Sequence, residues 1–263
     1  MATQLPNGLA RIERDGHRAD VLLSRPEKRN AMNRPLIADL TAAFERVGEL
    51  EAVRAVTLLG EGPVFSAGMD LEMMHESDRA TMEAITQELR TLFDRIENCS
   101  RPVVAGIKRA AVGGAFELTL PADFRVLGAE AAYGVVEVKL GVFPHGGATQ
   151  RLPRLVGLAK AKELVLTGEY VAPAAAERIG LVTEVCADDA VDERARALAD
   201  DLAKNAPLGM ERAKTALNGA LELPLEEGLD MEADLAMPLY ETADRKEGFG
   251  ARLEGREPSF EGE

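Results

Sequence analysis

The stretch AVGGAFELTL, residues 111–120, places one carboxylate, Glu117, in a run of small and apolar residues directly after two adjacent glycines. An apolar segment at residues 103–107 precedes it and is typical of a buried strand. Glycine lets the backbone approach a ligand closely, and the first turn of a helix has N–H groups without acceptors inside the helix. The stretch therefore predicts a strand, a tight turn and a helix start. Glu117 could stabilise the helix dipole there or carry chemistry.

A second junction of the same kind lies earlier in the chain. GPVFSAGMDL, residues 62–71, also follows an apolar segment, at residues 55–59, and also has small residues at its turn. Two such turns can direct two N–H groups at one oxygen, which is the arrangement of an oxyanion hole. Plain helix-start geometry is the alternative reading for each turn taken singly.

A second carboxylate, Glu137, lies in AAYGVVEVKLGVFPHGG, residues 131–147, between Val136 and Val138 in a strand-like stretch. Taken alone it reads as a surface residue. Together with Glu117 it forms a pair, and two carboxylates in a partly apolar pocket can act as general base and general acid.

Hydrophobic periodicity predicts strands that alternate with amphipathic helices over about the first 190 residues, which is an α/β pattern. From Val191 onward the pattern is helical only. These last helices could dock on a neighbouring subunit or pack on their own core. The predicted helices contain the apolar positions of residues 36–47 and 82–96, and the predicted strands are residues 19–23, 55–59, 103–107, 124–127 and 181–185.

Composition excludes several classes of protein. The 263 residues are 46% hydrophobic, enough for a sizeable core, and the net charge of −14 disfavours nucleic acid as a partner. The chain shows neither a signal peptide nor a membrane span, and the spacing of its two cysteines and three histidines does not suggest a metal site. These features favour a reducing cytoplasm, without a membrane or metal partner.

Five motifs, in order, resemble those of the crotonase or enoyl-CoA hydratase/isomerase superfamily, and the resemblance covers most of the chain. RPEKRNAMN (residues 25–33) is similar to the early motif that contacts coenzyme A, and FSAGMDL (65–71) and AVGGAFEL (111–118) to the two oxyanion turns. YGVVEVKLGVFPHGGATQRLPRLVG (133–157) resembles the longest signature of the family, and EGFGARLEGREPSF (247–260) its C-terminal one.

The resemblance implies a crotonase-like spiral of ββα units over residues 1–195 and a C-terminal helical trimerisation segment over residues 196–263. It also implies a homotrimer or a hexamer built as a dimer of trimers. The backbone N–H groups of Met69 and Gly114 would polarise the thioester carbonyl, and Glu117 and Glu137 match the two catalytic glutamates of the hydratases. Having both glutamates favours a hydratase over an isomerase.

The substrate implied is an acyl-CoA thioester, whose coenzyme A enters as part of the substrate, so no separate cofactor is expected. Arg25, Lys28 and Arg29 would form a cationic cluster for its phosphates, although solvated surface charge is the alternative for each. The residues implied in binding substrate or coenzyme A are Arg25, Lys28, Arg29, Ala31, Ala67, Gly68, Asp70 and Leu71.

The chain departs from the family pattern at several positions. His145 stands where a glycine usually lines the site, so an imidazole could reshape the pocket or titrate near neutral pH, or could simply face solvent. Lys108 and Arg109 replace the usual Asn-Gly before the second oxyanion turn. Ala115 stands at the third glycine of that turn, and Arg252 replaces an aromatic residue in the C-terminal motif.

Overall fold

The computed structural model of the chain describes residues 2–263 and contains two sheets. The main sheet has seven strands, in the order β1-β2-β3-β4-β5-β7-β9, and the second pairs β6 with β8. From β3 onward all neighbouring strands are parallel, whereas β1, β2 and β3 pair in antiparallel fashion. The strands are β1 (Ala2–Gln4), β2 (Ala10–Asp15), β3 (Arg18–Leu23), β4 (Ala55–Gly60), β5 (Val103–Ile107), β6 (Ala110–Val112), β7 (Phe124–Gly128), β8 (Ala132–Gly134) and β9 (Glu184–Cys186).

Eleven α-helices and three 3₁₀ segments connect and cover these strands within residues 2–263. The α-helices are α1 (Arg34–Gly48), α2 (Leu71–Glu76), α3 (Arg79–Glu97), α4 (Gly114–Thr119), α5 (Ala148–Val156), α6 (Leu158–Thr167), α7 (Pro173–Arg178), α8 (Val191–Leu202), α9 (Pro207–Gly219), α10 (Leu225–Ala236) and α11 (Ala243–Glu254). The 3₁₀ segments are Pro26–Lys28, Glu137–Leu140 and Met237–Glu241.

The two longest helices begin at capped residues and bury one face. The side chain of Asn33 accepts a hydrogen bond from the Leu36 N–H at the start of α1, and that of Asp78 accepts one from Thr81 at the start of α3. Their apolar faces pack in the main core on one side of the large sheet, while α8 packs against β3, β4, β5 and β7 in a smaller cluster. The apolar strands of the parallel sheet are therefore covered by helices on both faces.

The site is positioned by short segments that leave the main sheet and form a second layer. After β5 the chain enters β6 and then α4; after β7 it enters β8 and then the Glu137–Leu140 turn. β6 pairs with β8, and Ala111 in β6 also forms a β-bridge with Ser66 from the earlier junction. The two predicted glycine turns and the Glu137 segment are therefore brought side by side.

Two local predictions differ from the structure. Residues 181–185 were expected to form a strand, but only Glu184–Cys186 does, because Leu181 and Val182 are buried in the core before the pairing with β7 begins. Glu137 does not lie in a strand: β8 ends at Gly134, Val136 has ψ 3°, and Glu137 begins a 3₁₀ turn. The other four predicted strands and both long helices are confirmed, with ends shifted by at most a few residues.

The chain from Val191 onward is helical, as its periodicity predicts. The proposed division between residues 195 and 196 falls inside α8, which packs on the main sheet, and that division stays a prediction. Helices α9 and α10 bury none of their residues, and large apolar side chains such as Leu225 and Phe249 are exposed. Within the described chain, no helix combines the length and the apolar character that a bilayer crossing requires.

Candidate active site

The two glycine turns lie against each other. A Cβ added at Gly68 would lie 2.6 Å from the Val112 carbonyl oxygen, and one added at Gly114 would lie 2.8 Å from Cγ of Met69. Gly68 and Gly113 have φ values of 108° and 59°, which non-glycine residues rarely adopt. Glycine is therefore required at positions 68 and 113 for the backbones to approach and turn.

The N–H groups of Met69 and Gly114 are both left without an intramolecular acceptor among residues 2–263. In the β-bridge between Met32 and Met69, the Gly68 carbonyl accepts from the Met32 N–H and the Asp70 N–H donates to the Met32 carbonyl. The Met69 N–H takes no part in these hydrogen bonds. Gly114 is the first residue of α4, where N–H groups have no acceptor within the helix. Two adjacent turns thus each offer one free donor, as an oxyanion hole requires.

Glu117 lies in the first turn of α4, a helix whose six residues are all buried. Its side chain accepts a hydrogen bond of 2.9 Å from the Ala148 N–H at the start of α5, and a Cβ added at Gly146 would lie only 2.7 Å from its Oε2. Burial raises the pKa of Glu117 from 4.5 to about 7, with the Ala148 N–H opposing the shift and the nearby charge of Glu137 adding to it. Glu117 is therefore poised to exchange a proton near neutral pH.

Glu137 approaches the same glycine turn from the 3₁₀ segment. A Cβ added at Gly113 would lie 3.0 Å from its Oε1, and its Oε2 is buried without a hydrogen-bond partner in the described part of the chain. Burial also raises the pKa of Glu137, and the backbone N–H groups of Glu137 and Val136 and, least, the charge of His145 oppose that rise. An unpartnered buried carboxylate oxygen is costly for folding, and its natural partner is a substrate or a water molecule.

We expect the raised pKa of Glu117 to lower stability as the pH rises. Below 4.5 the carboxyl is protonated in both the folded and the unfolded states; between 4.5 and about 7 only the unfolded state loses the proton, which favours unfolding. The Glu117→Gln variant cannot ionise, so its stability relative to the wild type should increase by up to about 3 kcal/mol across that interval.

Denaturant titrations of both proteins at about pH 4.5 and pH 8 measure this difference. Glu83→Gln, at an exposed position of α3, is the matched control and should show no such change. A Glu117→Gln variant that gains nothing over the wild type at alkaline pH would contradict the raised pKa.

Comparison with known proteins gives the family. Residues 15–263 match the sequence profile of the enoyl-CoA hydratase/isomerase family. The chain belongs to that family. It is 36% identical to the 2,3-dehydroadipyl-CoA hydratase of Escherichia coli (strain K12), over 91% of this chain and 93% of the relative. It is 34% identical to the Enoyl-CoA isomerase/hydratase fer4 of Mycosarcoma maydis, over 92% of each chain.

The fold is the crotonase fold of this family. The crystal structure of an enoyl-CoA hydratase from Bacillus anthracis superposes with a TM-score of 0.93 at 32% sequence identity, covering 97% of this chain and all of the other. The fold expected from the sequence is confirmed. The trimerisation role of the C-terminal helices stays a prediction.

In this member of the enoyl-CoA hydratase/isomerase family, Arg25 and Asp70 bind each other. The Arg25 guanidinium donates to Asp70 at 2.6 Å and to the Ala31 carbonyl at 2.9 Å, and both side chains are largely buried. Asp70 also caps α2 by accepting from the Glu72 and Met73 N–H groups, and the Arg25 hydrogen bond lowers its pKa. The family resemblance implied ligand contacts for both; the structure shows that they join the loop of residues 25–31 to the glycine turn of residues 65–71.

The remaining predicted binding residues lie at the same junction. Lys28 and Arg29 are exposed, with Lys28 3.9 Å from Glu72 and Arg29 lacking a side-chain partner among residues 2–263. The Arg29 carbonyl accepts a hydrogen bond from the Ala67 N–H, which joins the loop to the same glycine turn. Leu71 is 71% exposed and begins α2. Two exposed cations therefore lie beside backbone that is hydrogen-bonded to this glycine turn.

Asn30 is a structural residue of the site that the sequence analysis did not single out. It is buried at φ 53°, and its amide nitrogen donates to the carbonyls of Glu61, Val64 and Phe65. Asparagine tolerates the left-handed conformation and hydrogen-bonds nearby backbone, and these are the signals that could have identified Asn30.

Arg109 likewise adopts a positive φ, 59°. The turn between β5 and β6 therefore forms without the glycine that is usual in the family at this position.

His145 is half-buried in the loop before α5. Its Nδ1 lies 3.2 Å from the Phe143 carbonyl oxygen, and its charge acts on Glu137. The loop that carries it also covers Glu117 through Gly146. His145 therefore lies at the edge of the site, close to Glu137.

Proposed function

We propose that this chain is an enoyl-CoA hydratase that adds water across the 2,3-double bond of an enoyl-CoA thioester. The observation that carries the proposal is a pair of carboxylates at one glycine turn beside two free N–H groups: Glu117 is buried, and Glu137 is half-buried with its Oε2 enclosed. Enoyl-CoA hydratases among its relatives support the same reaction class.

In the proposed reaction the thioester oxygen accepts hydrogen bonds from the N–H groups of Met69 and Gly114. Charge that develops on this oxygen as the enolate forms is stabilised there, since fixed donors need no reorganisation. The ionised carboxylate of the pair takes a proton from a water molecule as the oxygen of that water forms a bond to C3. The protonated carboxyl delivers a proton to C2, so one molecule of water is added in all.

The raised pKa values of both glutamates support this exchange. Burial raises the pKa of both carboxyls, that of Glu117 to about 7, and the nearby charge of Glu137 adds to the rise at Glu117, so we propose that the pair holds one proton near neutral pH. The pair then contains one acid and one base at the same time, which is what addition of water requires. No step needs a metal ion or a redox cofactor, and the prediction that none is bound stays a prediction.

The test is turnover of trans-2-enoyl-CoA substrates by the purified protein, with the product identified. A 3-hydroxyacyl-CoA product supports hydration. Conversion of a 3-enoyl-CoA to the 2-enoyl isomer without hydration would identify an isomerase, the alternative that His145 beside Glu137 keeps open. Binding without any turnover would identify an acyl-CoA-binding protein.

We expect Lys28 and Arg29 to contribute to coenzyme A binding by charge. Both side chains are exposed next to the glycine turn of residues 65–71. Because the net charge of the chain is −14, an anionic ligand needs a local cationic pair. The double variant Lys28→Ala/Arg29→Ala should bind free coenzyme A about tenfold more weakly at low salt, and the difference should shrink as salt rises.

Isothermal titration calorimetry at two salt concentrations measures the affinity of each protein for free coenzyme A. Arg79→Ala, an exposed cation of α3 that pairs with Glu83, is the control and should bind normally. Unchanged affinity in the double variant at low salt would assign the phosphate contacts to backbone or to other residues.

We also propose that the chain forms a homotrimer or a dimer of trimers through its C-terminal helices. Two grooves of about 500 Å³ run along these helices and expose apolar side chains, among them Leu217, Leu225, Leu229 and Phe249. Exposed apolar surface of this extent is typical of an interface. Light scattering of the full chain measures the oligomeric state.

A further inference from the structure

A cavity of about 520 Å³ lies between α3 and the start of α5, next to the proposed catalytic pair. Gly146 lines this cavity, and the same residue covers Glu117, since a Cβ added there would lie 2.7 Å from Oε2 of Glu117. His145, whose charge acts on Glu137, lines it as well. The cavity therefore adjoins Glu117 through Gly146.

The cavity is lined by polar groups. Apart from Gly146 and Gly147, every residue that lines it within the described chain has a polar or charged side chain. An alkyl chain placed there would remove little apolar surface from water and would leave hydrogen-bonding groups without partners. The lining therefore suits a group that itself forms hydrogen bonds.

The charged residues of the lining differ in how completely they are paired. Arg151 donates to Asp94 and Glu97 at 3.1 and 2.6 Å, and it is largely buried. Arg154 lies 3.2 Å from Glu222.

The side chain of Arg90, by contrast, is 74% exposed and reaches only to 3.8 Å from Asp94, a carboxylate that Arg151 already uses. His145 bonds through Nδ1 only, to a carbonyl. In the part of the chain that the structure describes, Arg90 therefore keeps donors and charge free and His145 keeps Nε2 free, whereas Asp94, Glu97 and Glu222 are paired with Arg151 or Arg154.

We propose that this cavity receives the distal end of the acyl chain and that the preferred substrates carry a terminal carboxylate, bound by Arg90. The inference rests on the proposed function, because the acyl chain must begin between Glu117 and Glu137 to reach the cavity. A guanidinium binds a carboxylate through two parallel hydrogen bonds, and a site built for such a group discriminates against a methyl terminus.

The experiment compares chains that differ only at the end. The substrates are trans-2-hexenoyl-CoA, its analogue with a terminal carboxylate and its analogue with a terminal hydroxyl. The wild-type protein should have a kcat/KM for the substrate with a terminal carboxylate that is at least about tenfold higher than for the substrate with a terminal methyl group. Arg90→Leu should reduce that ratio about tenfold, whereas Arg95→Leu, on the same helix but paired with Glu45 outside the cavity, should retain it.

Affinity provides a readout that needs no catalysis. Two ligands without a double bond, hexanoyl-CoA and its analogue with a terminal carboxylate, are titrated against the wild type, Arg90→Leu and Arg95→Leu. The analogue with the carboxylate should bind more tightly than hexanoyl-CoA only to the proteins that contain Arg90. A preference for the methyl or hydroxyl terminus, or a ratio unchanged in Arg90→Leu, would overturn the inference. Absence of turnover with a retained affinity ratio would instead overturn the hydratase function and leave the carboxylate site standing.

Discussion

Glu117→Gln and Glu137→Gln should each lower hydration of a short 2-enoyl-CoA by about 10²–10⁴-fold. Glutamine keeps the size of the side chain but cannot exchange a proton. Addition of water uses both carboxylates in one step, one as base and one as acid, so the two variants should be impaired to a similar degree. The measurement is kcat/KM for each purified variant, with Glu83→Gln as a control at an exposed position of α3.

The same variants separate a hydratase from an isomerase. An isomerase shuttles one proton between carbons, so only Glu137→Gln should abolish conversion of a 3-enoyl-CoA, while Glu117→Gln leaves much of it. A Glu117→Gln variant that hydrates at the wild-type rate would return Glu117 to the role of a helix-start carboxylate. The denaturant titrations of that variant establish that it is folded at the assay pH, so a loss of activity there is not assigned to unfolding.

Gly114→Val should lower turnover by about 10²–10³-fold, the usual cost of losing one oxyanion donor. A Cβ at Gly114 would lie 2.8 and 2.9 Å from Cγ and Sδ of Met69 and 3.3 Å from the terminal methyl of Met32. Only the methyl of Met32 is the far end of a side chain, whereas Cγ of Met69 is next to Cβ, so we expect the fold to accommodate the change by a shift of Met69 and of the glycine turn that carries it. Overpacking of this kind costs typically about 1–3 kcal/mol of stability.

The matched control for Gly114→Val is Gly48→Val, because a Cβ at Gly48 meets nothing within 4 Å. Circular dichroism and a denaturant titration establish that both variants are folded, and steady-state kinetics with a 2-enoyl-CoA compares their activity. Near-normal activity in a folded Gly114→Val variant would remove this turn from the proposed mechanism.

Local patterns predicted much of the backbone. The periodicity of residues 36–47 and 82–96 predicted α1 and α3. Their predicted apolar faces are buried, because a helix that packs on the core places its apolar face inward. The glycine pairs predicted tight turns because few other residues adopt positive φ, as Gly68 and Gly113 do. Leu181 and Val182 misled the strand prediction, since buried apolar residues look alike in a strand and in a turn that fills the core.

Predictions for individual side chains were less complete. Glu137 looks like a surface residue in its own segment, and its buried Oε2 is explained only by the approach of that segment to Gly113. Arg25 and Asp70 each suggested ligand contacts, but residues 45 positions apart bind each other in the folded chain. No local pattern contains that pairing.

The sequence by itself determined the alternation of strands and helices, the two glycine turns, the acidic net charge and the motifs of the family. These depend on backbone preferences and side-chain types, which are local properties of the chain. Only the tertiary structure decided that Glu117 is buried with a pKa of about 7, that Glu137 faces the same turn, and that the adjoining cavity is polar. Proton affinity and pocket chemistry depend on which distant groups share one space and on how much water they exclude, and packing alone fixes both.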